Sequence, residues 1–144
     1  MTIKIGINGM GRIGRMVVRS IIESKNKNIL IKHINNRTNS EITSSLLKYD
    51  SIHGKFNANV SFIKNHLIIN KNKITFSQKT NIEEINWKKL GVDYVFECTG
   101  KFNSKEQLLG HVKNGAKKVI VSAPCNNADK TIVFGVNEKT LNRN

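Results

Sequence analysis

The stretch from Ile3 to Arg15, IKIGINGMGRIGR, constrains this chain more than any other. Ile3, Ile5 and Ile7 alternate with Lys4 and Gly6, the period of a strand, and residues 12–24 then carry Ile13, Val17 and Ile21 at the spacing of a helix with one buried face. Between them Gly9, Gly11 and Gly14 follow the pattern G-x-G-x-x-G. The first glycine permits a turn that a Cβ would obstruct, the second lets backbone approach a pyrophosphate, and the third lets the helix pack on the strand. The free N–H groups and positive end of such a helix face an anion. Asn8, Gly9, Gly11, Arg12, Ile13 and Gly14 are therefore read as a phosphate cradle, in preference to the plainer reading of a purely structural turn.

The rest of the chain repeats the βα rhythm that makes a mostly parallel sheet. Strands are expected at residues 3–8, 29–34, 94–97 and 118–122, with a last short one at 131–134. A second helix is expected at 40–47, with Ile42, Leu46 and Leu47 as its apolar face, and a third at 104–113. Between them, 60–63, 66–70 and 73–77 read as short antiparallel strands joined by Lys-Asn turns. The fold class is thus α/β, a Rossmann-type doubly wound sheet with a short antiparallel insertion around residues 58–78. With 144 residues and no linker or repeat, the chain is read as one dinucleotide-binding domain, 1–144.

The net charge of +14 raises nucleic acid as a partner, but the lysines are scattered rather than clustered and come with a surplus of Asn and Ile, the mark of A/T-biased coding. Nucleic acid is therefore not the expected partner. No charged and apolar leader precedes the first strand and no apolar run reaches bilayer length, so a cytoplasmic protein without a membrane partner is expected. Cys98 and Cys125 lack metal spacing and a neighbouring histidine, which makes them core and loop residues rather than nucleophiles. His33, His66 and His111 look isolated, His53 is read as a structural hydrogen-bonding group, and no metal site is expected.

An Asp or Glu usually stands at the end of the second strand and accepts from the adenosine ribose hydroxyls. Here Asn35 and Asn36 fill that place, followed by Arg37, Thr38, Asn39 and Ser40. An amide does not repel a 2′-phosphate and an adjacent guanidinium could bind one. Equally, Asn36 could still bond the ribose of NAD while Arg37 points to solvent. The cofactor is NAD or NADP, and both stay open.

Five motifs in order along the chain resemble phosphorylating glyceraldehyde-3-phosphate dehydrogenase. They are Ile7 to Arg15, Leu47-Lys48-Tyr49-Asp50-Ser51-Ile52-His53-Gly54-Lys55-Phe56, Glu97-Cys98-Thr99-Gly100, Gly115 to Pro124, and Gly135-Val136-Asn137. The resemblance implies Arg12 and Ile13 against the pyrophosphate, Thr99 and Gly100 closing over the cofactor, and Ser122 with Ala123 flanking the nicotinamide side. Asn36 stands where the family usually has an Asp, and Thr80 where many members have an Arg near the adenine.

The resemblance also implies a reaction for the family. A cysteine attacks the aldehyde, a histidine takes the proton, hydride passes to the nicotinamide, and inorganic phosphate cleaves the thioester to 1,3-bisphosphoglycerate, a step of glycolysis. The family's Ser-Cys-Thr-Thr-Asn segment, its later histidine and its second domain lie beyond this sequence, so no catalytic residue is assigned here and the chain alone is expected to be inactive. A missing catalytic half or partner chain is implied, and a homotetramer for the full-length family. Two alternatives remain, the cofactor domain of erythrose-4-phosphate dehydrogenase and a non-enzymatic nucleotide- or RNA-binding module. Cut from its second domain, the chain is expected to be marginally stable and to gain stability from bound dinucleotide.

Overall fold

A computed structural model describes residues 2–141. The first βα unit is β1 (Ile3–Asn8) and α1 (Arg12–Glu23), followed by β2 (Ile29–Asn35) and α2 (Ser40–Lys48). A two-stranded ribbon, β3 (Tyr49–Asp50) with β4 (Gly54–Lys55), comes next. Then come β5 (Val60–Ile63), β6 (His66–Ile69) and β7 (Asn72–Ser77), and finally β8 (Tyr94–Glu97), α3 (Lys105–Lys113) and β9 (Lys118–Val121). The main sheet has seven strands in the order β5-β6-β7-β2-β1-β8-β9.

Pairing is parallel from β7 through β2, β1 and β8 to β9, and antiparallel for β5 with β6 and β6 with β7. The insertion therefore hands its last strand to the parallel sheet, since β7 pairs with both β6 and β2. The β6–β7 hairpin closes without glycine because Asn70 and Lys71 adopt φ of 47° and 71°, left-handed values that Asn tolerates best. The chain moves outward from β1 to β2 and β7, then jumps back across β1 to β8. That reversal opens a crevice at the carboxyl ends of β1 and β8, the place where ligands bind in open α/β sheets.

One core forms around Ile7, Val18, Ile34, Leu47, Phe56 and Ile74, and a second around Ile85, Trp87, Val92 and Val95. Arg19 is buried and ties this first core to the connection after α2. Its Nε and Nη2 donate to Leu47 O at 3.1 and 2.8 Å, Nη2 also reaches Gly54 O, and the guanidinium lies 5.2 Å from the Phe56 ring centre.

Three expectations are corrected. Residues 131–134 form no strand; Val133 and Phe134 are exposed, and the Asn137 side chain takes the backbone groups a ladder would use, accepting from Val133 N and donating to Thr131 O. In α2 the buried face is Ser40, Thr43, Ser44 and Leu47, whereas Ile42 and Leu46 are exposed. That face is polar yet buried because its hydroxyls are bonded: Ser40 Oγ to Lys64 O, Ser44 Oγ to Glu41 O, and Thr43 Oγ1 to Asn36. In α1 the fully buried positions are Gly14, Val18 and Arg19, one step round from the expected stripe. Val17 and Ile21 pack only partly and Ile13 is half exposed.

Candidate functional site: the crevice at the carboxyl ends of the strands

The three glycines of the turn after β1 have different surroundings. Gly9 has φ of +96°, and a Cβ there would come within 2.7 Å of Thr99 N. A Cβ on Gly14 would sit 2.0 Å from Gly9 O, which no relaxation short of moving α1 could relieve. Gly11, between them, has nothing within 4 Å of its notional Cβ. Two glycines are filled by the protein itself, and the third faces open space.

The open glycine is also the cap residue of α1, and it offers no side chain to the helix end. The first intrahelical bond runs from Arg15 N to Gly11 O at 3.1 Å, so the amides of Arg12, Ile13 and Gly14 precede the ladder. No acidic residue lies in that first turn. An uncapped helix end with exposed Gly11, Arg12 and Ile13 above it has the charge and the donor geometry that suit an anion. Arg15 braces the turn from below, donating from Nη1 to Met10 O at 3.2 Å and lying 3.8 Å from Asp50. Asp50 accepts from the amides of His53 and Ile52, which hold its carboxyl below the usual range, and His53 Nδ1 lies 3.2 Å from the same oxygen. His53 has the hydrogen-bonding place that the sequence suggests.

At the end of β2, Asn36 ties the turn to α2. Its Oδ1 accepts from Met10 N at 3.1 Å, and its Nδ2 donates to Thr38 Oγ1 at 2.6 Å and Thr43 Oγ1 at 3.1 Å. Both amide hydrogens are spent within the protein. One lone pair on Oδ1 remains for a ligand hydroxyl. Arg37 is exposed beside it, its carbonyl accepting from Gln78 Nε2, and Thr80 is exposed on the segment that follows β7.

On the other side, Glu97 ends β8 at 1 % exposure. Its Oε1 accepts from Thr99 N at 2.8 Å and from Thr99 Oγ1, and its Oε2 accepts from Asn8 Nδ2 at 2.6 Å and His111 Nε2 at 2.9 Å. Burial pushes its carboxyl up, but the hydrogen bonds from His111, Thr99 and Asn8 outweigh burial and leave it below its ordinary value, ionised. Gly100 is exposed beyond Thr99, and Ser122 and Ala123 follow β9 on the same edge. The site residues expected from the sequence thus share the carboxyl edge of the sheet.

Glu97 and His111 are what the sequence does not announce. His33 and His111 are not isolated. His111 is fully buried with Nδ1 2.9 Å from Trp87 Nε1, and His33 lies 2.7 Å from Thr75 Oγ1 and 2.8 Å from Ser77 Oγ. Their partners are 24 and 42 or 44 positions away, beyond any local signal. Burial lowers the His33 pKa to about 4. Cys98 is buried, which pushes its thiol up, away from the thiolate a nucleophile needs; the Ser122 hydroxyl opposes this only in part.

The chain can hold and orient a dianionic ligand with ribose hydroxyls. Among the described residues it brings no thiol against a histidine. A family model described as the NAD-binding domain of glyceraldehyde 3-phosphate dehydrogenase matches residues 3–105. The glyceraldehyde-3-phosphate dehydrogenase of Cereibacter sphaeroides is 45% identical over 141 residues, covering 98% of this chain and 42% of that protein. Those of Geobacillus stearothermophilus and Thermotoga maritima are 45% and 44% identical over 138 residues, covering 96% of this chain and 41% of each relative. The chain thus spans about two fifths of the length of these curated relatives. With the glycine turn, the switch-point crevice and this match over most of its length, the chain belongs to the glyceraldehyde 3-phosphate dehydrogenase family, in the part that forms its NAD-binding domain.

Proposed function

We propose that the chain binds a nicotinamide dinucleotide across the crevice and serves as the cofactor-holding part of a phosphorylating glyceraldehyde-3-phosphate dehydrogenase. The observation that carries this reading is the turn itself, where Gly9 and Gly14 are packed solid while Gly11 stands open before the uncapped amides of α1. A Cβ at Gly11 would enter the space a pyrophosphate needs, so the residues present fit the group. Gly11, Arg12 and Ile13 would hold the pyrophosphate, and Asn36, Arg37 and Thr80 the adenosine end. Thr99, Gly100, Ser122 and Ala123 would line the nicotinamide side.

When bound, the dinucleotide supplies the hydride acceptor. The work of this chain's own residues would be to bind and orient: the helix end would neutralise the phosphates, and Asn36 Oδ1, which accepts from Met10 N, would accept from a ribose hydroxyl through its second lone pair. The Glu97-bound turn fixes the wall beside the nicotinamide. The full enzyme would oxidise glyceraldehyde 3-phosphate with inorganic phosphate, in glycolysis, as a cytoplasmic homotetramer. Its nucleophile is not assigned to Cys98 or Cys125.

Calorimetric titration with NAD, NADP and a short RNA tests the reading. Dinucleotide binding that depends little on salt is expected, with thermal stabilisation of about 2.7 kcal/mol at a hundredfold excess over Kd. Steeply salt-dependent RNA binding with neither dinucleotide bound would overturn it.

A further inference from the structure

Seven side chains from six regions form one largely buried hydrogen-bonded row under the crevice. From one end it runs Trp87, His111, Glu97; from the other, His33, Ser77, Asn35, Asn8, Glu97. Donor and acceptor chemistry fixes the direction of the links that meet at Glu97. Trp87 Nε1 can only donate, so His111 accepts on Nδ1 and carries its hydrogen on Nε2, aimed at Glu97 Oε2. On the other arm, Lys79 N donates to Asn35 Oδ1 and Lys79 O accepts from Asn35 Nδ2, which fixes that amide. Asn35 Nδ2 therefore donates to Asn8 Oδ1 at 2.8 Å, and Asn8 Nδ2 must donate to Glu97. Ser77 gives its hydrogen to Asn35 Oδ1 and accepts from His33 Nε2.

Both arms point their donors inward, and the carboxylate is the only member that accepts from both. Its second oxygen receives Thr99 N and Thr99 Oγ1. Having given its hydrogen to Glu97, Thr99 Oγ1 accepts from Lys101 N at 3.2 Å, so the turn 99–101 is fastened to the carboxylate at two successive points. The same turn is pressed from the other side, because Thr99 N and Cγ2 occupy the space a Cβ on Gly9 would need.

We propose that Glu97 is a positioning residue of the dinucleotide site, which touches no ligand and sets the β8 wall of the crevice through Thr99. This rests on the dinucleotide reading above. An amide in its place cannot satisfy the row. Gln at 97 has one acceptor oxygen for two groups of donors, so its Nε2 must face either Thr99 N–H or the Nδ2 of Asn8 and Nε2 of His111. Neither neighbour can reverse, since Trp87 locks one arm and the Lys79 backbone the other. The row thus distinguishes a charge from an isosteric amide, which packing alone would not.

The test compares Kd for NAD with Kd for AMP in the full chain, for Glu97→Gln, Thr99→Val and Thr99→Ser. AMP reaches the β2 side of the crevice, where the adenosine ribose lies, but not the β8 wall. Glu97→Gln and Thr99→Val are expected to weaken NAD by about tenfold to a hundredfold, the size of a lost charge-assisted hydrogen bond, while AMP changes by less than about twofold. Thr99→Ser, which keeps the hydroxyl that Glu97 accepts from but loses the methyl beside Gly9, is expected to weaken NAD clearly less than Thr99→Val does. Parallel losses for NAD and AMP would reduce Glu97 to a general stability role and overturn the proposal, as would unchanged NAD affinity. If Glu97→Gln does not fold, the Thr99 pair decides alone. A wild-type chain that binds neither NAD nor AMP would sink the dinucleotide reading itself, and this inference with it.

Discussion

On the β8 side of the crevice the backbone has no spare room and a buried carboxylate sits at its centre; on the β2 side, amides and hydroxyls stand at an open rim. Gly9 and Gly14 belong to the first side, where their notional Cβ atoms run into Thr99 and Gly9 O, with Cys98 Cβ 3.4 Å from the latter position. Asn36, Thr38 and Thr43 belong to the second, linked by neutral hydrogen bonds of 2.6 to 3.2 Å. The tight side tolerates a charge because four donors surround Glu97, so its ionised form is the satisfied one. Asn36, Thr38 and Thr43 present amide and hydroxyl groups rather than a carboxylate there, so a ligand's own charge can settle beside them. A rigid wall and an adaptable rim in one crevice fit a ligand whose reacting end must be placed closely and whose far end need only be held.

The largest effect is expected from breaking the tight side. Gly14→Ala puts a methyl 2.0 Å from Gly9 O and should cost on the order of 3 kcal/mol or more, seen as a collapse of the urea-unfolding midpoint. Nearly as large is a pH effect under the β2 side. Burial holds His33 at about 4 against 6.5 when unfolded, so between those values the unfolded chain binds the proton and the folded one does not. Stability should be full above pH 6.5, fall by about 3 kcal/mol as pH drops towards 4, and level off below; His33→Gln should flatten that part of a melting-against-pH curve.

Smaller changes sharpen the contrast. Asn36→Asp introduces a carboxylate at the rim, which can still accept from Met10 N and from the Thr38 and Thr43 hydroxyls, so the fold should hold. Repulsion of a 2′-phosphate should weaken NADP by about tenfold relative to NAD in competition titrations. Gly11→Ala is the mildest for the fold, about 1 kcal/mol or less as a cap substitution into open space, yet it should reduce dinucleotide affinity measurably. A Gly11→Ala chain that melts as badly as Gly14→Ala would dissolve the distinction between open and packed glycines.

The strand, turn and helix of the first unit were legible because their signals are local. Alternating Ile3, Ile5 and Ile7 and the glycines at 9, 11 and 14 act over a few residues, and the structure puts β1 and α1 within one residue of the expected bounds. The phosphate cradle was legible for the same reason. Helix faces were less so: Ile42 and Leu46 mark an apolar stripe in α2, but the buried side is the one whose hydroxyls find acceptors at Glu41, Asn36 and the Lys64 carbonyl. Periodicity gives the existence of a helix, and the neighbours decide which side they cover. Residues 131–134 show the same limit, since Ile132 and Val133 have strand propensity and no ladder partner.

What the sequence determined by itself is the alternation of strands and helices, the glycine turn, and an amide at the end of β2 where a carboxylate is usual. Tertiary structure alone decided that Glu97, His111 and His33, which no spacing in the linear chain connects, share one hydrogen-bonded row with Asn8 and Asn35. The physical reason is separation. Asn8 and Glu97 are 89 positions apart, and only the parallel pairing of β1 with β8 brings amide to carboxylate at 2.6 Å. A hydrogen bond of that length depends on a register set by the whole sheet, which no window of sequence contains.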